Sequence, residues 1–79
     1  MKKLREVIET THKSYDKTIG DLVTYNATVM KYATFSMVTF EREGKSLTVR
    51  LDRRPSKYNG NIIADAWNKV ILNNISIWQ

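Results

Sequence analysis

A chain of 79 residues with no cysteine and one histidine supports a single domain, expected to span 1–79, and excludes disulfides or a Cys/His metal centre as its reinforcement. Thirteen Lys and Arg against eight Asp and Glu give a net charge of +5, which favours an anionic partner: nucleic acid, an acidic protein surface or anionic lipid. No run approaches the roughly 18 apolar residues of a membrane span, and MKKLREVIETTHK lacks an apolar signal core, so a soluble, cytoplasmic protein with no membrane partner is expected.

From Lys2 to about Tyr15, the residues Leu4, Val7, Ile8, Thr11 and Tyr15 follow the three-and-four spacing of an amphipathic helix. Glu9 and Lys13 stand four apart in the favourable order. A helix is expected there, ended by the turn formers Asp16, Gly20 and Asp21. Leu22 to Tyr32 fits either a helical stripe or an alternating strand, and the β-branched density of VTYNATV points to strand.

Thr34 to Arg42 and Ser46 to Arg53 flank Glu43, Gly44 and Lys45 and read as a hairpin. With a two-residue loop, parity sets Val38 and Phe40 on the same face as Leu47, Val49 and Leu51. Phe35 and Met37 then fall on the other face, beside Thr48 and Arg50. From about Asn61 to Asn73, Ile62, Ile63, Ala66, Trp67, Val70 and Ile71 form the strongest helical pattern, with Asn59 or Asn61 as its cap. Trp67 is expected to be buried with Ile63, Val70 and Ile71 against Leu47, Val49 and Leu51. The tail from Ile75 to Gln79 alternates and is too apolar for a disordered end.

The expected fold is therefore α+β, one small domain of helix, three-stranded antiparallel sheet and helix in two layers, α-β-β-β-α. That order resembles double-stranded-RNA-binding domains, which place basic residues at the start of their second helix. Here Ser56-Lys57-Tyr58-Asn59-Gly60-Asn61 runs into Ile62-Ile63-Ala64-Asp65-Ala66 without the family's lysine cluster. The resemblance is one of element order, which does not carry function.

Catalytic patterns fail one by one. Gly44-Lys45-Ser46 lacks the earlier glycine of a phosphate-binding loop, since Thr39 stands there, and a strand rather than a helix follows it. His12 has no cysteine to join it on a metal and borders an apolar face, and no serine sits in a nucleophile-elbow pattern. Glu41, Glu43 and Asp52 alternate with Arg42, Lys45, Arg50 and Arg53, as cross-strand charge pairs do. A non-enzyme without cofactor or metal is expected.

The remaining signal is basic. Arg42, Lys45, Arg50, Arg53, Arg54 and Lys57, with Tyr58, lie in the hairpin and the connection to the last helix, a disposition suited to nucleic-acid phosphates. Charged residues also keep sheet edges from aggregating, and an acidic protein surface would meet the same side chains. Phe35, Met37, Ile77 and Trp78 are expected to form an apolar interface, in a homodimer or with a protein partner. Two functions follow: a small nucleic-acid-binding module, or an inhibitor of the phage or mobile-element type that blocks a host protein machine.

Overall fold

A computed structural model describes residues 4–16 and 19–72. It has four strands followed by one helix: β1 (Leu4–Asp16), β2 (Asp21–Tyr32), β3 (Ser36–Arg42), β4 (Lys45–Leu51) and α1 (Asn59–Leu72). The strands form a single antiparallel sheet in the order β1-β2-β3-β4. The expected α-β-β-β-α order is thus overturned at its first element, and the resemblance to double-stranded-RNA-binding domains falls with it.

The physical reason lies in β1. Its register with β2 runs from Leu4↔Tyr32 to Asp16↔Asp21, and this pairing satisfies backbone groups that a helix would have satisfied internally. Val7, Ile8, Thr10, Thr11 and Tyr15 suit a pleated strand better than a helix, because branched and aromatic side chains lose rotamer freedom against a helical turn. Alternation is present but shallow. Ile8, His12 and Ser14 are half-buried on the side facing α1, and Val7, Glu9, Thr11, Lys13 and Tyr15 are exposed on the other.

The expected strand at 22–32 and the expected hairpin are both present. Glu43 (φ 53°) and Gly44 (φ 77°) make a two-residue turn between Arg42 and its partner Lys45, the left-handed pair that a tight hairpin requires. Val38↔Val49 and Phe40↔Leu47 then share a face, as parity demands.

That face carries the core. Ala27, Val29, Val38, Phe40, Val49 and Leu51 of the sheet pack against Ile62, Ile63, Ala66 and Val70 of α1, with Phe40 and Val38 fully buried. Trp67 is displaced from its expected place: it is partly buried and lies against His12, Tyr25 and Phe40, with ring centroids 4.7, 4.9 and 5.0 Å away. Ile71, expected inside, is exposed.

The helix begins at Asn59, where the Tyr58 carbonyl accepts from the amides of Asn61 (3.1 Å) and Ile62 (3.4 Å). Neither expected cap serves: Asn59 Oδ1 is buried without a hydrogen-bond partner, and Asn61 lies within the helix. Instead Ser56 Oγ accepts from the Tyr58 amide at 3.1 Å and shapes the entry.

The opposite face of the sheet is largely polar, with Thr11, Asn26, Thr28, Thr39, Glu41 and Thr48, and the Thr39 and Thr48 hydroxyls hydrogen-bonded at 2.9 Å. Such a face can stay in water. Met37 is half-buried there, whereas Phe35 precedes β3 and is buried; Ile77 and Trp78 lie outside the described residues. Among the described residues, no helix is long and apolar enough to cross a membrane.

Candidate anion-binding cleft

The basic residues singled out from the sequence do not form one cluster. Arg42 and Lys45 flank the β3–β4 turn, whereas Arg53, Arg54, Lys57 and Tyr58 lie between β4 and α1, beside the other end of β3. The seven residues of β3 separate these groups by about 20 Å at the rise of a strand.

Several cations are already engaged. Arg53 pairs with Asp65 of α1, Arg50 with Asp52, and Arg42 lies 3.6 Å from Glu43. The Arg50 guanidinium also sits 4.1 Å from the centroid of the Phe35 ring, a cation–π contact. Phe35 in turn stacks on Tyr32, with centroids 4.3 Å apart and planes 6° from parallel. Phe35 is thereby covered from its own chain. Tyr58 is exposed.

Arg54 and Lys57 behave differently. Among the described residues no ion pair engages either of them, and both line a cleft of about 590 Å³ with Arg5, Lys31 and Tyr32. Four cations thus face one carboxylate, Glu6, which lies 3.5 Å from Lys31 Nζ.

Three separate segments build this cleft, and local structure positions each. In β1 the register slips between Leu4 and Glu6, which leaves Arg5 as an extra residue without a place in the ladder. The turn from β2 to β3 is closed by the Tyr32 amide donating to the Phe35 carbonyl at 2.9 Å, which aims Tyr32, Ala33 and Thr34 at the cleft. In the β4–α1 connection, the Arg53 amide donates to the Leu51 carbonyl at 2.9 Å, and the Arg53–Asp65 ion pair ties the bend to the helix. Pro55 and Ser56 then place Arg54 and Lys57 along the same wall.

An adjoining depression of about 480 Å³ shares Arg54, Pro55 and Ser56 with it and runs under α1 past Asn61 and Asp65. The two adjoin at these shared residues. Arg5 and Lys31 are not legible as site residues in the sequence, the first because its segment follows helical spacing and the second because it stands near the end of a strand, far along the chain from the basic connection. Only the pairing Glu6↔Lys31 brings them together.

Among the described residues, no three His, Cys, Asp or Glu side chains gather as a metal would require. His12 lies among rings on the covered face, with Nε2 buried and unpartnered, and burial pushes its pKa below the ordinary value. Tyr25 is pushed up by burial, opposed by the nearby Arg42 charge and reinforced by Asp16. Neither group reaches the cleft. Compared with protein-family models, with curated proteins and with solved structures, the chain matches none.

Proposed function

We propose that the protein is a small cytoplasmic nucleic-acid-binding module, non-catalytic and without a cofactor, which holds backbone phosphates in the cleft lined by Arg5, Lys31, Arg54 and Lys57. The observation that carries this reading is the convergence of four cations from three segments around one opening with a single carboxylate. Bringing like charges together without matching acids raises local potential, and a polyanion relieves it by counterion release. Tyr32, held flat by its stack on Phe35, offers a sugar or base a planar wall beside the phosphates.

Fluorescence anisotropy with duplex DNA, duplex RNA and single strands tests this. For about four phosphate contacts, raising salt from about 50 to 200 mM weakens binding on the order of a hundredfold. The Arg54→Ala, Lys57→Ala double variant is expected to lose about two units of the salt slope. Arg53→Ala, whose guanidinium already pairs with Asp65, should lose far less. A folded sample that binds none of these nucleic acids at low salt overturns the proposal.

A second reading rests on a different feature. Beyond Asn26↔Glu41, where pairing to β3 ends, β1 and β2 continue as a two-stranded ladder to Asp16↔Asp21, with Tyr25 packed on Trp67 near its start. Its end exposes Ile19 (58%) and Leu22 (62%). Such a tip suits insertion into an apolar pocket of a protein machine, as an inhibitor of the phage type would do. In that case Leu22→Asp abolishes partner binding and the cleft variants chiefly slow association.

A further inference from the structure

The two edges of the sheet differ. β4 has seven residues, and carbonyls at its end are engaged by groups outside the ladder: Lys69 Nζ donates to the Arg50 carbonyl at 2.8 Å, and the Arg53 amide to that of Leu51. β1 has thirteen residues, and its one register irregularity lies at its start, between Leu4 and Glu6. Among the described residues it has no neighbour on its outer side. Proteins ordinarily blunt such an edge with proline, a bulge, shortness or charge; β1 from Glu6 to Asp16 has no proline and no bulge, and the charges on its open face, Glu9 and Lys13, are of opposite sign, so they repel a strand of arbitrary sequence less than one that matches them.

Its exposed side chains are ordered in a particular way. On the open face β1 presents Val7, Glu9, Thr11, Lys13 and Tyr15. That order is apolar, acidic, neutral, basic, apolar, and an antiparallel copy complements it about the central residue. We infer that β1 is a homodimerisation edge, which pairs with β1 of a second copy about a two-fold axis at Thr11 to make one continuous eight-stranded sheet.

In this register Glu9 faces Lys13 of the other copy twice over, Val7 faces Tyr15, and Thr11 faces itself. Opposite charges and apolar pairs directly across a ladder are the favourable combinations, and Thr–Thr is a third. Registers that keep both helices on one side but shift the axis do worse. Centring on Glu9 opposes the two Glu9 side chains and sets Arg5 against Lys13. Centring on Thr10 opposes Val7 and Lys13, and centring on His12 sets Glu9 against Tyr15. The Thr11 register has one unfavourable pair at each end, Glu6 against Asp16, and the Lys31 ammonium 3.5 Å from Glu6 tempers it. Val7 and Tyr15, 49% and 61% exposed in the single chain, gain cover from each other.

Sedimentation equilibrium on the full chain, at about 0.1 M salt and from 1 to 300 μM protein, reads the association, with circular dichroism to confirm folding. Glu9→Lys alone and Lys13→Glu alone each place like charges opposite one another twice and should weaken the dimer at least tenfold. The Glu9→Lys, Lys13→Glu double variant restores the opposition with its sign reversed and should recover the parent's affinity. Because the chain has no cysteine, Thr11→Cys offers a second readout: mild oxidation should give a disulfide-linked dimer, faster than Lys45→Cys at the exposed β3–β4 turn. A parent that stays monomeric throughout, single charge variants that dimerise as tightly as the parent, or a double variant no tighter than the singles would overturn the inference. So would Thr11→Cys that links no faster than the turn control.

Discussion

His12 stands among Tyr25, Phe40 and Trp67, its Nε2 unpaired, and withdrawal from water pushes its imidazole pKa below 6.5. The folded state therefore resists protonation that the unfolded chain accepts. Stability from the neutral ring is complete above the unfolded pKa of 6.5 and is lost as pH falls through the lower folded value. Since His12 is the only histidine, a decline that begins below about pH 6.5 and precedes carboxylate titration belongs to it. Urea midpoints at pH 7.5 and 5.5 should fall for the parent and stay nearly level for His12→Phe, which keeps the ring packing and removes the proton site. Equal falls in both proteins would place the sensitivity elsewhere.

At the scale of the element, the β3–β4 hairpin combines a well-ordered register with one strained residue. Glu43 adopts φ 53°, a left-handed conformation in which a Cβ crowds the backbone at a cost of roughly 1–2 kcal/mol. Asparagine tolerates that region better, and Asn-Gly is the preferred pair for this turn. Glu43→Asn should therefore raise stability by about 0.5–1 kcal/mol. The weak ion pair with Arg42, 3.6 Å long and exposed on the glutamate side, offsets little of that gain. Denaturant midpoints with an unchanged m-value check it; a variant less stable than the parent would show that the Arg42 contact matters more than the backbone. Gly44, at φ 77°, leaves no comparable room for improvement.

The whole molecule measures 42 × 22 × 22 Å, long in one direction because the β1–β2 ribbon outruns the rest of the sheet. Within Asn26–Lys31, β2 is paired to a described strand on both sides; from Asp21 to Tyr25 its ladder partner among the described residues is β1. Local opening needs fewer broken bonds there. Amides of Lys13–Asp16 and Asp21–Thr24 should exchange with solvent well before those of Ala27–Val29 and Met37–Phe40, which lie within the core-bearing sheet. Uniform protection along β2 would mean that the ribbon is held by something other than the strands described. The basic cleft lies away from this ribbon, beside the start of β3, so a molecule that frays at one end can still hold a rigid site at the other.

Local pattern was enough for part of this. The β-branched run of β2, the hairpin and its parity, and the apolar stripe from Ile62 to Val70 are short-range signals, because period two and period three to four are written into neighbouring residues. The basic connection around Arg54 and Lys57 was also legible, since charge and proline are read directly. Tertiary structure decided the rest. β1 is an outer strand buried on one side only lightly, so its alternation is faint and its accidental three-and-four spacing reads as helix; its conformation is settled by hydrogen bonds to β2, which no local window contains. The same pairing brings Arg5 and Lys31 to Arg54 and Lys57, while Arg53 and Arg50 are engaged by Asp65 and Asp52. Phe35 is covered by Tyr32 and Arg50 for a like reason. Composition alone set the sign of the charge, but which cations remain free to meet a ligand depends on distances across the fold.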